Sequence, residues 1–143
     1  MKIFFILLVF LVNFSQTSNA YFKLSKLVEL DDPWGASFLN DKELIITEKG
    51  GSIKILNLNS NSVKKIEHKL NILEHGQGGL LDILYKDNFI YVSYTESRGD
   101  WTSSTSIAKA KLNIKELKFK NIFQAEPPID SGCLLYTSDA ADE

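Results

Sequence analysis

The sequence predicts an all-β fold, a β-propeller of which about two blades are present, and three observations carry that expectation. Short runs rich in β-branched and aromatic residues alternate with Gly, Asn and Asp turns from Pro33 to Phe123. No helical period appears beyond the first twenty residues. The strand pattern also recurs, with Trp34 to Leu80 and Ile45 to Tyr91 each separated by 46 residues. A repeat of roughly 40–50 residues with four strands per unit is the sequence mark of a propeller blade. A small β-sandwich of eight strands is the other way to arrange the same runs.

The elements follow in order. Lys2, the apolar run 3–12 and the small and polar stretch 13–20 read as a secretory signal peptide over residues 1–20, cleaved after Ala20 so that the mature chain starts at Tyr21. The apolar run is shorter than the ~20 residues a bilayer-crossing helix needs, which disfavours an uncleaved anchor. No Cys comes immediately after the cleavage point to serve as a lipid-attachment site, so the expected destination is the periplasm or the outside of a bacterial cell, with no membrane attachment. The first blade reads as strands 34–39, 43–48 and 52–57 with a short fourth near 63–66; Asn40-Asp41 and Gly50-Gly51 supply the turns. The second reads as strands 79–85, 89–94, 105–112 and 119–123, with a turn at 86–88 and a longer polar loop over 97–104. The run 89–94 is almost continuously apolar, as a strand covered on both faces should be, whereas Ala108, Ala110 and Leu112 alternate with lysines.

Residues 133–143 differ from what precedes them. They contain no Lys, Ile or Asn and hold the one Cys of the chain, so the expectation is a non-native tail on a propeller domain, 21–132, interrupted at Gly132. Two blades cannot close a circle that takes typically four to eight. Both flanking faces are then exposed, and the isolated chain should be poorly soluble or oligomeric.

Composition narrows the function. Sixteen Lys and Arg against 18 Asp and Glu give a formal charge of -2, which offers no basic surface for nucleic acid. One Cys and two His exclude an internal disulfide and a zinc site built from Cys and His alone.

The most unusual run is Glu74-His75-Gly76-Gln77-Gly78-Gly79-Leu80-Leu81-Asp82, in the loop leading into the innermost strand of the second blade. Loops entering inner strands surround a propeller axis. Glycines there let the backbone approach a flat ligand, and the Gln77 amide offers donors and an acceptor. The same glycines would equally serve a tight inter-blade connection.

The chain further contains Asp31-Asp32-Pro33-Trp34-Gly35, "LIITEKGG" over 44–51, "YVSYTE" over 91–96 and "IFQAEPPIDSG" over 122–132. Taken in order with "GQGGLLD" over 76–82, these motifs resemble the soluble aldose sugar dehydrogenases dependent on pyrroloquinoline quinone, the glucose and sorbosone dehydrogenase family, across nearly all of residues 28–132. The resemblance implies a six-bladed propeller holding the quinone and calcium near its axis and oxidising an aldose at C1 to its lactone. The reduced cofactor then passes electrons to an external acceptor. Gln77 looks like the family's cofactor-binding Gln.

The match also departs from the family. There the general base is a His just after a Gly like Gly132, in H-F-G-x-R, whereas this chain has Cys133-Leu134-Leu135. His68 and His75 do not fit that place and read as surface-loop imidazoles. No catalytic residue and no metal ligand is therefore assigned, since the family's calcium and carboxylate-binding residues belong to later blades. Asp82 reads as a hydrogen-bonded strand end, and Trp34, Tyr85, Tyr91 and Tyr94 as core aromatics rather than a sugar platform. Arg98-Gly99-Asp100 spells an adhesion tripeptide by chance, and the loop 97–104 could shape a cleft mouth. The expectation is an exported sugar dehydrogenase segment, inactive by itself. A non-enzymatic secreted propeller that binds carbohydrate or protein is the alternative.

Overall fold

Strands β1 (Pro33–Asn40), β2 (Glu43–Glu48), β3 (Ile53–Asn57) and β4 (Ser62–His68) form an antiparallel meander. The computed structural model describes residues 22–130, so the expected signal peptide (1–20), the break at Gly132 and the tail (133–143) lie outside the described residues. Local chemistry sets the meander's corners. The Asn40 side chain accepts from the Lys42 amide, and Asn57 Oδ1 accepts from the amides of Asn59 and Ser60 ahead of Asn61, which has φ of 55°.

The second sheet repeats the plan with β5 (Leu80–Lys86), β6 (Phe89–Gly99), β7 (Thr102–Lys111) and β9 (Lys120–Gln124). Asp87 and Asn88 both have positive φ, the requirement of the two-residue hairpin turn between β5 and β6. Two short strands complete the picture: β8 (Glu116–Leu117) runs parallel to β4 on the rim of the first sheet, and β10 (Ile129–Asp130) pairs with the start of β7.

The core lies between the two sheets. Ile45, Ile53, Ile55 and Ile66 from the first meet Leu80, Ile83, Ile90, Val92, Tyr94, Ala108 and Ala110 from the second, with Leu117 of β8 also enclosed. Burying each large apolar side chain contributes about 1.5–3 kcal/mol, so this seam dominates the stability of the pair. The innermost strands β1 and β5 touch directly. The Tyr85 amide donates to Ser37 Oγ at 3.0 Å, the Thr47 hydroxyl donates to the Leu81 carbonyl, and a Cβ on Gly35 would sit 2.8 Å from Asp82 Cα. A glycine is therefore needed where the two blades cross.

Three expectations are corrected. The loop foreseen over 97–104 is mostly strand: β6 runs on to Gly99 and β7 begins at Thr102, leaving a tight tip at Asp100 and Trp101. The extension is polar, so its alternation carried no apolar signal. The run 89–94 is not covered on both faces; Ile90, Val92 and Tyr94 are buried while Phe89, Tyr91 and Ser93 are only half-buried. Trp34 is no core aromatic, being 51% exposed at the start of β1, and of the tyrosines only Tyr94 is fully buried. The repeat itself is interrupted by one residue, because Ser37 pairs with Ile45 but Leu84, not Ile83, pairs with Tyr91. The irregularity of β5 between Leu80 and Ile83 has its counterpart in β1 between Pro33 and Gly35, and the extra residue sits in the first blade, in the second irregularity of β1 between Phe38 and Asn40.

Candidate functional site at the loop end of the two blades

Antiparallel order places the starts of β1, β3, β5 and β7 and the ends of β2 and β6 at one end of the molecule. The loop that carries Gln77 lies there, and its surroundings explain its shape. Leu73 and Ser97 donate their amides to the Thr95 and Asn71 carbonyls, so residues 71–73 run beside the end of β6. The Gly78 amide then donates back to the His75 carbonyl at 2.7 Å, closing a turn with Gly76 and Gln77 at its corner. Gln77 is exposed at that corner.

The two following glycines are needed for packing. A Cβ on Gly78 would lie 3.0 Å from both the His75 carbonyl and the Thr95 hydroxyl. One on Gly79 would lie 2.5 Å from the Lys49 carbonyl, which accepts the Leu80 amide at 2.9 Å. The tight inter-blade connection is thus present, and it ends in an outward-facing amide.

Lys49 belongs to the site although sequence reasoning passed over it. Its Nζ donates to the Gly76 carbonyl at 2.7 Å and lies 5.8 Å from the centre of the Trp34 ring. One residue of the first blade therefore holds the Gln77 turn from both sides, by its ammonium and by its carbonyl. The signal was the "TEKGG" turn, but its contact with a loop 27 residues away was not readable from spacing.

Glu48, next to it, is buried and accepts from the Asp31 amide and the Lys54 ammonium, both at 2.6 Å. Burial opposes its charge, but Lys54 and the Asp31 amide together outweigh this and hold the carboxyl below its ordinary range. The pair fixes where the chain enters β1.

His68 corrects another expectation. It is no surface-loop imidazole: it ends β4 half-buried, with Nε2 donating to the Gly51 carbonyl at 2.7 Å and Nδ1 accepting the Leu70 amide at 3.3 Å. The Phe119 ring meets it edge-on, and burial holds its pKa below the ordinary imidazole value. Both nitrogens are committed, which leaves it no capacity as a base. His75 is exposed two residues before Gln77. Asp82 is exposed in the irregular part of β5 and accepts its neighbour Ile83's amide, the hydrogen-bonded strand position expected of it.

Further along β6, Glu96 Oε2 accepts from Ser106, Asn121 and Gln124, while the buried Tyr94 hydroxyl donates to Asn121 Oδ1 at 2.8 Å. Burial raises the Tyr94 pKa. Arg98 bridges Glu126 at 2.9 Å, so the tripeptide 98–100 has its cation engaged. Among the described residues no group of three or more His, Cys, Asp and Glu is placed to hold a metal ion. Two depressions of about 420 and 400 Å³ lie around β8 at the outer rim, lined by none of the residues of the Gln77 loop.

A family model described as glucose / sorbosone dehydrogenase matches residues 30–136. The chain is 28% identical over 113 residues to the aldose sugar dehydrogenase YliI of Escherichia coli (strain K12), a match covering 73% of this chain and 30% of that protein. Among solved structures it is similar to a glucose dehydrogenase (26% identity, TM-score 0.67, 72% of this chain and 33% of that one). It is similar also to the soluble aldose sugar dehydrogenase of Escherichia coli in its apo form (26%, 0.65, 72% and 32%). The PQQ-bound aldose sugar dehydrogenase of Streptomyces coelicolor shares the fold at 19% identity and a TM-score of 0.61, over 69% of this chain and 32% of that one. The chain thus spans about a third of the length of these relatives. The two meanders are blades of their propeller, and the chain belongs to the glucose / sorbosone dehydrogenase family.

Proposed function

We propose that this chain is the exported first third of a periplasmic or secreted sugar oxidoreductase dependent on pyrroloquinoline quinone, and that Gln77 contacts the cofactor. The observation that carries the proposal is the turn His75–Gly78. It puts an uncharged amide at the loop end of the blades, held by Lys49 and backed by two glycines that exclude side chains. An exposed donor and acceptor carried on a turn held by its backbone suits one polar edge of a flat quinone. When bound, the quinone supplies the carbonyl that receives hydride from C1 of an aldose, with calcium polarising that carbonyl, and electrons then leave to an external acceptor.

The chain's own part is to orient. Gln77 would fix one edge of the ring, and Lys49 would keep the Gln77 turn from shifting as the ligand arrives. The residues described here fit one edge of such a site and no more. The calcium ligands, and the base that takes the C1 hydroxyl proton, are proposed to follow Gly132 in the uninterrupted protein, so the 143-residue chain is proposed to be inactive.

The test is to read the coding DNA past the Gly132 codon and assay both products. The expected result is a continuation into His-Phe-Gly with further blades, giving dye-linked aldose oxidation in the longer protein and none in the present chain. A longer blade sequence lacking that base segment, or one inert toward every aldose with quinone and calcium supplied, would refute the enzyme reading.

A further inference from the structure

We propose that Trp34 and Lys49 belong to the same edge of the site as Gln77, with Trp34 stacking on a flat carboxylated ring and Lys49 pairing with one of its carboxylates. The proposal rests on the cofactor reading of Gln77 and extends it to two residues of the first blade.

The local chain explains why Trp34 stands where it does. Pro33 pairs with Glu48 and Gly35 with Thr47, so Trp34 is the extra residue of a bulge in β1 and has no partner on β2. Such a bulge re-aims a side chain. The backbone on either side is pinned: the Lys49 amide donates to the Asp32 carbonyl at 3.0 Å, and the Gly35 amide donates to the Thr47 hydroxyl at 3.0 Å. Lys49 Nζ lies 5.8 Å from the centre of the indole while donating to the Gly76 carbonyl, so the ring is turned to the loop end between two blades that are both present. What it meets there is the ammonium that holds the Gln77 turn.

Charge decides the class of ligand. Lys49 Nζ has three N–H bonds and gives one of them to Gly76. Among the described residues it forms no salt bridge, because the adjacent Glu48 is taken by Lys54 at 2.6 Å. The Glu74 carboxylate lies over Gly50, 3.3 Å from where a Cβ would be, and the Asp82 carboxylate beside Gly35 is engaged with the Ile83 amide. A cation with two donors to spare beside an aromatic face fits an anion carried on a flat ring, since one molecule then satisfies both stacking and ion pairing. A neutral sugar would leave the charge unmatched. The quinone carries its carboxylates on the ring system itself.

The experiment labels the two tryptophans, Trp34 and Trp101, with fluorotryptophan and follows both by fluorine NMR as the purified chain is titrated with pyrroloquinoline quinone. Trp101→Phe assigns the signals, and equilibrium dialysis gives the affinity. Trp34 should shift, and Trp101, exposed at the β6–β7 tip, should not. Trp34→Leu should weaken binding by about two- to tenfold. Lys49→Gln keeps a donor for the Gly76 carbonyl but lacks the charge, and should weaken it by about two- to fivefold. The quinone's neutral trimethyl ester should bind Lys49→Gln and the parent chain alike.

An unmoved Trp34 signal, equal shifts of both tryptophans, or an ester that loses as much affinity in Lys49→Gln as the free acid overturns the proposal. Gln77→Ala separates it from the reading beneath it. Weaker binding in that variant with an unmoved Trp34 leaves Gln77 as a cofactor contact and removes Trp34, whereas a moved Trp34 with unchanged binding does the converse. Absence of binding by dialysis overturns both. If circular dichroism shows Trp34→Leu to be unfolded, the fluorine shift of the parent chain decides alone.

Discussion

The first blade turns from its second to its third strand at once, while the second blade carries the same hairpin much further. Ile45 pairs with Ile55, ten positions on, whereas Tyr91 pairs with Lys109, eighteen positions on. The short turn is stiff: the Glu48 amide bonds the Ser52 carbonyl and the Gly51 amide bonds the Glu48 carbonyl, with Gly51 at φ of 99°. The long one is lined by Glu96, which accepts from Ser106 within the hairpin and from Asn121 and Gln124 of β9, and by Ser104, which accepts from Arg98. One blade ends in backbone geometry and the other in a polar network. The shared loop 71–79 is pressed between them, so the Gln77 turn inherits stiffness from both.

The largest effect should come from the point where the first blade touches the loop. A methyl at Gly79 would collide with the Lys49 backbone, which cannot move without opening the turn. Gly79→Ala should therefore cost about 3 kcal/mol, read as a lower urea midpoint. Gly50→Ala is the contrast, since its Cβ would meet only the flexible Glu74 carboxylate at 3.3 Å and should cost below about 1 kcal/mol. Equal costs would mean that the loop is not clamped as described.

On the second blade the corresponding break is Glu96. Replacing it with Leu leaves the Ser106 hydroxyl and the Asn121 and Gln124 amides without their acceptor. The expected loss is about 2–3 kcal/mol, with protection of the β6–β7 hairpin amides from hydrogen exchange reduced first. Tyr94→Phe removes one bond of the same network and should cost about 1 kcal/mol.

A smaller effect, with a pH signature, belongs to the first blade. Neutral His68 donates to Gly51 and accepts from Leu70, and the proton that would charge it must enter at Nδ1, against the Leu70 amide. Burial, opposed by the Gly51 bond, holds its folded pKa below its unfolded value of about 6.5. Nearby Lys65 disfavours the cation and Glu67 favours it. The folded chain thus binds fewer protons, so this contribution is complete above pH of about 6.5 and is lost as pH falls through the lowered folded pKa. His68→Gln should cost about 1–2 kcal/mol at pH 8 and flatten that acid limb. An acid limb unchanged in the variant would assign it to another group.

The contrast between the blades also shows what the sequence could display. Strands built from Ile, Val and Tyr announce themselves by period and composition, and β2 and β3 fall within a residue of their expected bounds. The hairpin of Glu96 to Ser106 did not, because its inward residues are polar and are satisfied by one another and by β9, far along the chain. Likewise Gln77 was visible as an unusual residue between glycines, but the Lys49 clamp depends on a carbonyl and an ammonium meeting a loop across the blade seam. Short strands such as β8 and β10 exist only through the strands they pair with, and no local pattern marks them.

Gln77 should give the smallest effect on folding and is informative for that reason. Its neighbours Gly78 and Gly79 are constrained by atoms within 3.0 Å of a missing Cβ, whereas Gln77 sits exposed at the corner of a turn whose bonds are made by the backbone and by Lys49. Gln77→Ala should accordingly shift stability by less than about 0.5 kcal/mol, with an unchanged melting profile and unchanged exchange at the Gly78 amide. Lys49→Met should do the reverse, loosening the turn while leaving the Gln77 side chain in place. If Gln77→Ala proved as damaging as Gly79→Ala, the residue would be part of the packing between blades, and its proposed duty toward a ligand would lose its support. A glutamine that the fold does not need, carried on a turn whose backbone is held by residues that it does, is what separates a binding position from a connecting one.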